Sequence, residues 1–287
     1  MKRPLLITLA LFAAAPLLFG LWVYAASEWR LRSYPRPAAF AMTIPKDAAS
    51  LVHGEHLTRT RGCRGCHGAR FEGGPQEETF VAPNLARYVR EESLATFEAA
   101  LRHGIGRDGR AFYSMPAYNF ARLRDADVAA IYAWLRTQPV VEQPLPPASL
   151  PWHIRYDIAL GRDGPIAQFL PAVPPLHEQA NSDARVARGE YLAMTTCNEC
   201  HGLNLRADVP WPPWPDGGGP DLIVLMGYDE TAFRHLMSTG KALGERELPM
   251  MSDVARTRFA YLANEEVGDL WAFLRRMAER AAGQPAS

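Results

Sequence analysis

Every cysteine of this 287-residue chain falls into one of two five-residue segments, and those segments constrain it more than any other feature. They read Cys63-Arg64-Gly65-Cys66-His67 and Cys197-Asn198-Glu199-Cys200-His201. Two Cys-x-x-Cys pairs sharing one zinc are normally separated by about 12–20 residues, and Cys66 and Cys197 lie far further apart. A redox-active pair would sit in an alternating strand–helix setting, which the sequence does not show. Disulfides would not explain a histidine after each pair. Cys-x-x-Cys-His is instead the attachment signature of haem c. Two thiols on one helical turn each form a thioether to the same haem, and the following His supplies the proximal nitrogen to iron. The cofactors expected are therefore two haem c groups, with His67 and His201 as iron ligands.

The chain also repeats itself at long range. Gly54-Glu55-His56-Leu57 precedes the first motif and Gly189-Glu190-Tyr191-Leu192 the second. Pro83-Asn84-Leu85 matches Pro220-Asp221-Leu222, and Phe97 to Gly104 matches Phe233 to Gly240. The period is too long for a solenoid and reads as two copies of one domain. Helical spacing of apolar residues runs over 93–103 (Leu94, Phe97, Leu101), with Ser93 as N-cap and Gly104 as stop. It recurs over 125–136 (Val128, Ile131, Tyr132, Leu135) and 264–276 (Val267, Leu270, Trp271, Leu274). No period-two alternation appears, so the fold class expected is all-α.

At the start, Lys2 and Arg3 precede a stretch from Pro4 to Ala26 that carries no charge. It exceeds the roughly 7–15 apolar residues of a cleavable signal and reaches the roughly 20 needed to span a bilayer. Trp22, Tyr24 and Trp29 stand where an interfacial belt would lie. The expectation is a transmembrane signal-anchor in contact with lipid. The alternative is a cleaved signal at Val23-Tyr24-Ala25. Arg30, Arg32 and Arg36 weaken any orientation argument from positive charge. The expected organisation is 1–27 anchor, 28–47 juxtamembrane linker, 48–142 first domain, 143–183 Pro-rich linker and 184–281 second domain. The linker's prolines predict a stiff, extended segment, and Trp152, Ile154, Tyr156, Ile158, Phe169 and Leu170 predict that it packs along the domains.

With these residues in view, the exported part resembles the class I c-type cytochromes, whose domain has a helix entering the motif, a middle helix and a closing helix. That resemblance implies haem attachment after export, and so a location on the periplasmic face of a bacterial cytoplasmic membrane. It also implies a sixth iron ligand. Ser114-Met115-Pro116-Ala117-Tyr118 resembles the Met-ligand loop of dehydrogenase-associated cytochromes, and Met251-Ser252-Asp253-Val254-Ala255-Arg256 resembles the corresponding loop of the second copy. Met115 and Met251 are the ligands expected, with Met250 as the alternative to Met251. Met194, Met226, Met237 and Met277 are read as core filler. The remaining histidines (His53, His56, His103, His153, His177, His235) are read as surface or packing residues. The resemblance further implies that the Pro83 and Pro220 carbonyls accept a hydrogen bond from the proximal His ring; as residues alone, each is equally an ordinary loop proline. The segment Trp211-Pro212-Pro213-Trp214-Pro215-Asp216-Gly217-Gly218-Gly219 is an insertion in the second copy, either a cover for a haem edge or a rigid loop.

The function implied is electron transfer, without catalysis. Its partners would be redox proteins: a dehydrogenase or quinol-oxidising complex on one side, an oxidase or soluble cytochrome on the other. Dehydrogenase-linked cytochrome subunits commonly carry three haems, whereas this chain has two motifs. The alternatives are a dihaem enzyme of the cytochrome c peroxidase or thiosulfate dehydrogenase type, which needs one iron able to open, and a permanent subunit of a respiratory complex. Lys+Arg and Asp+Glu are both 31. That balance leaves no basic footprint for nucleic acid.

Overall fold

The computed structural model describes residues 2–38, 40–76, 80–177, 183–207 and 218–283. The described residues are mostly helical, in keeping with the all-α expectation, and among them lie two small hairpins.

Helix α1 (Lys2–Leu31) covers the uncharged stretch and continues past it. The expectation of an N-terminal transmembrane helix, and of lipid contact through it, is overturned: among the described residues no helix is long and apolar enough to cross a membrane. The reason lies in the end of α1, which is committed to protein. Val23, Ser27 and Leu31 are buried. Glu28 accepts from Arg155 (2.8 Å) and pairs with Arg110 (2.9 Å). The ring of Tyr24, expected at a lipid interface, lies under the Arg155 guanidinium at 4.7 Å.

Helix α2 (Ala48–Thr60) begins at Asp47, whose carboxylate accepts from Ser50 N. The first motif forms α3 (Cys63–His67), followed by the antiparallel hairpin β1 (Gly74–Gln76) and β2 (Phe80–Ala82). Then come α4 (Leu85–Glu91), α5 (Leu94–His103), the short α6 (Ala117–Phe120) and α7 (Asp125–Thr137). As its sequence requires, α5 is capped by Ser93 and stopped by Gly104 at φ 64°. Leu57, Phe71, Val89, Phe97, Leu101, Ile131 and Leu135 are the centre of a first core.

The Pro-rich segment differs from its expectation in one respect. It is not extended throughout: Trp152–Leu160 forms α8, which packs on α1, and Ile166–Ala172 forms a 3-10 helix. Pro151 stands at the N-cap of α8 and no proline interrupts it, so nothing there forbids a helix. Packing along the body does occur. Ile166 and Val173 are buried in a second core, and Arg122 donates to the carbonyls of Pro174 (2.8 Å) and Val173.

The rest of that core comes from α9 (Ala184–Ala193), α10 (Asn198–His201), α11 (Glu230–Thr239), the hairpin β3 (Lys241–Ala242) and β4 (Arg246–Glu247), α12 (Pro249–Thr257) and α13 (Asn264–Ala282). Leu192, Leu203, Leu205, Phe233, Met237 and Leu270 lie within it. Met194 and Met277 pack there as expected, but Met226 does not: it is 39% exposed. It ends a surface 3-10 turn (Leu222–Gly227) that turns Leu222 and Leu225 inward instead.

The repeated Gly-Glu pairs mark equivalent helix crossings. A Cβ on Gly54 would lie 2.2 Å from Ala130 O, where α2 crosses α7. A Cβ on Gly189 would lie 1.9 Å from Asp269 O, where α9 crosses α13. Only glycine permits either approach. The two cores also exchange aromatic residues. Tyr191 of α9 is buried in the first, and Tyr118 of α6 in the second.

Candidate cofactor centres

Each Cys-x-x-Cys-His segment is held in one backbone scaffold, built twice. In the first, Gly62 (φ 76°) breaks the chain away from α2, and Gly68 (φ 82°) turns it out of α3. Phe71 follows at φ 62°, strained for a side chain of its size yet fully buried. His67 O accepts from Gly73 N (2.8 Å), and Phe71 O accepts from Leu85 N (2.9 Å). In the second, Gly202 (φ 88°) and Leu205 (φ 67°) take the corresponding places. His201 O accepts from Ala207 N (2.9 Å), and Leu205 O from Leu222 N (3.1 Å). The unusual backbone at Phe71 and Leu205 buys a buried anchor directly beneath each motif.

The two histidine rings are fixed in the same way. His67 Nδ1 lies 2.9 Å from Pro83 O, and His201 Nδ1 lies 2.8 Å from Pro220 O. A carbonyl oxygen only accepts, so each Nδ1 carries the hydrogen and each Nε2 keeps its lone pair. Burial pushes both imidazoles below the ordinary histidine pKa, against the smaller opposing effect of the carbonyls. Both rings are therefore neutral near pH 7, which is the form that ligates a metal. The open question at Pro83 and Pro220 is resolved: both carbonyls orient the rings. Gly219 keeps the second site open, because a Cβ there would lie 2.8 Å from His201 Nδ1.

The sulfurs suit thioethers better than thiolates. Burial lifts the Cys63 pKa to about 11 and the Cys200 pKa to about 12. Cys66 and Cys197 are raised as well, again chiefly by burial. Such an apolar setting disfavours the charged sulfur that zinc requires and accepts a neutral thioether. The four cysteines are not paired with one another. The residues present thus fit covalently attached haem c.

Each motif shares a core with one of the candidate methionines. Cys63, Cys66, His67 and Pro83 lie together beside the first core, and Met115 is half-buried against that core. Cys197, Cys200, His201 and Pro220 lie beside the second, against which Met251 is half-buried. The neighbouring Met250 is 51% exposed. Four of the six other histidines are engaged elsewhere: His53 with Asp127 (2.6 Å), His56 with Glu266 (2.9 Å), His103 with Glu98 (3.0 Å) and His235 with Glu245 (3.1 Å). Of the Trp-Pro insertion, residues 211–217 lie outside the described residues.

Two residues beside the motifs escape sequence reasoning. Arg258 Nη1 bonds Glu199 Oε2 at 3.0 Å, and its guanidinium lies within electrostatic reach of both Cys66 and Cys200. Arg61 is 2% exposed and donates to Thr60 Oγ1 at 2.8 Å. Nothing in a single sequence reveals that one arginine both bonds a residue of the second motif and lies over the glycine that precedes the first.

Comparison with known proteins gives matching results. The cytochrome c family model matches residues 51–139. The cytochrome c subunit of an alcohol dehydrogenase (quinone) from Gluconobacter oxydans is 34% identical over 184 residues, 56% of this chain and 38% of that protein. The fructose dehydrogenase cytochrome subunit of Gluconobacter japonicus is 26% identical over 262 residues, 81% of this chain and 53% of that one. A diheme cytochrome c-type protein from Cereibacter sphaeroides is 28% identical over 193 residues, 58% of this chain and 64% of that one. The chain thus spans about half the length or less of the dehydrogenase subunits it matches.

Proposed function

We propose that this chain, a c-type cytochrome that resembles the cytochrome subunits of dehydrogenases, carries two haems c and relays electrons from a dehydrogenase to a further redox protein. The observation that carries the reading is the duplicated histidine geometry: Nδ1 to a proline carbonyl at 2.9 Å in one centre and 2.8 Å in the other. A second-shell bond of this kind fixes the tautomer and the ring plane of a metal-ligating histidine.

When bound, haem c supplies an iron that takes up and gives up one electron. The chain does the rest. Cys63 and Cys66 would tether one haem, and Cys197 and Cys200 the other. His67 and His201 would present Nε2 to the iron, and Met115 and Met251 would supply the further sulfur ligands. Phe71 and Leu205, both buried, hold the motif backbones rigid. An iron with two protein ligands would favour a carrier over an enzyme, and each half has a half-buried methionine that could serve as the second. The names of the relatives point to a dehydrogenase as donor. The acceptor would be an oxidase or a soluble cytochrome, or the next centre of a complex to which the chain belongs. The place of work is the periplasmic side of the bacterial cytoplasmic membrane, because haem c is attached after export.

Intact mass of the purified protein and its ferric and ferrous spectra test the reading together. Two attached haems, low-spin and unaltered by peroxide, are expected. One attached haem would overturn the two-haem reading, and a peroxide-reactive iron would overturn the carrier reading.

A further inference from the structure

We infer that Arg258 is a positioning residue shared by both cofactor centres, clamping the first Cys-x-x-Cys-His turn against the second and setting one positive charge on the seam between them. The inference rests on the reading that each motif holds a haem c.

Arg258 ends α12, with its N–H on Val254 O at 2.9 Å. Its side chain is 21% exposed and that of Glu199 12%. The guanidinium lies across the first motif: a Cβ on Gly62 would be 2.3 Å from its Cζ, and a Cβ on Gly65 would be 3.5 Å from Nη2. An arginine from the other half thus fills the space above Gly62, whose positive φ already favours glycine, and stands in van der Waals range of Gly65. The second motif answers with charge, since Glu199 occupies a variable position between Cys197 and Cys200 and takes the Arg258 hydrogen bond. Asn198, the other variable residue, donates from Nδ2 to Tyr118 O of the first half at 3.3 Å. Three of the four variable positions in the two motifs are thus spent on the seam; the fourth, Arg64, lies over the Phe71 ring at 5.4 Å.

Such a seam has two effects. Bidentate-capable, half-desolvated arginine holds geometry better than lysine could. A fixed positive charge also favours the reduced form of any nearby iron, because reduction lowers the local positive charge. Arg61 adds a second buried cation on the same side, within electrostatic reach of Cys197. Glu199 offsets only part of the total.

The test is a spectroelectrochemical titration of the haem-loaded full chain, preceded by a haem count. Arg258→Met is expected to shift both centres toward the oxidised form at a fixed applied potential, by about tenfold in the ratio, the scale of one charge roughly 10 Å away at an effective dielectric of about 20. Arg258→Lys should restore most of that shift. Glu199→Gln should move both centres in the opposite direction, and it serves equally if Arg258→Met does not fold. Two haems present and both potentials unchanged, or only one potential displaced, would overturn the inference. Fewer than two haems in the unaltered protein would overturn the two-haem reading instead.

Discussion

Single positions set how closely this chain can pack. An alanine methyl at Gly189 would press against the carbonyl of Asp269, within 1.9 Å of its oxygen. Overpacking of a helix crossing typically costs about 1–3 kcal/mol and sometimes more, so Gly189→Ala should lower the melting temperature by many degrees. Gly227→Ala is the control, since nothing lies within 4 Å of its Cβ position, and its melting temperature should barely move. A circular-dichroism melt that ranked the two the other way would contradict the crossing geometry. Burial likewise separates the two candidate methionines of the second half. Met251→Ala should abolish the methionine–iron signature of one haem, whereas exposed Met250→Ala should leave the ferric spectrum intact. Residue types and local spacing brought the two Cys-x-x-Cys-His segments into view from the sequence. Arg258 was not legible, because its role depends on the space above Gly62, a fact of tertiary structure alone.

Helices meet through a polar junction at the next scale. His53 of α2 pairs with Asp127 of α7 at 2.6 Å, and the Tyr191 hydroxyl of α9 donates to the same carboxylate. The Asp127 bond raises the His53 pKa above its usual 6.5, outweighing partial burial. Stability from that source is fully present below about pH 6.5 and is lost as pH rises through the higher folded value. Burial acts to raise the Asp127 pKa, but His53 and Tyr191 together hold it below the usual 3.8. Its contribution is present above that value and is lost as pH falls. Between these limits the junction is at its strongest. The melting temperature should therefore decline on moving from pH 6 to pH 8, and His53→Gln should flatten the decline; an unchanged slope would remove His53 from the account. At this scale α5, α7 and α13 were legible, since each carries a regular apolar face, and α5 adds a cap at Ser93 and a stop at Gly104. Helix α8 was not: its neighbourhood is rich in proline, and its place is decided by contact with α1.

The whole molecule is knit from both directions. Tyr191 fills the first core from the second half, and Tyr118 fills the second core from the first half. Cores that borrow from each other should melt together. Calorimetry of the haem-loaded chain is expected to give one cooperative transition, and two resolved peaks would mean that the junction couples the halves only weakly. The N-terminal helix shows why a run of uncharged residues was an incomplete guide. Hydropathy records what α1 lacks between Pro4 and Ala26, but Glu28 lies just beyond the run and, through Arg110 and Arg155, ties the helix end to protein.

The fit of Arg258 over Gly62 and Gly65 also fixes the direction of assembly. The socket lies on one half and the plug on the other, so this contact is head-to-tail. A repeating unit with both features would go on adding copies without end, as heterologous contacts do when no rotation closes them. Here the second motif carries Asn198 and Glu199 where the first has Arg64 and Gly65. Divergence between the copies thus makes the contact one-way: where the first motif presents Gly62 to the guanidinium, the second presents Thr196 and the carboxylate of Glu199.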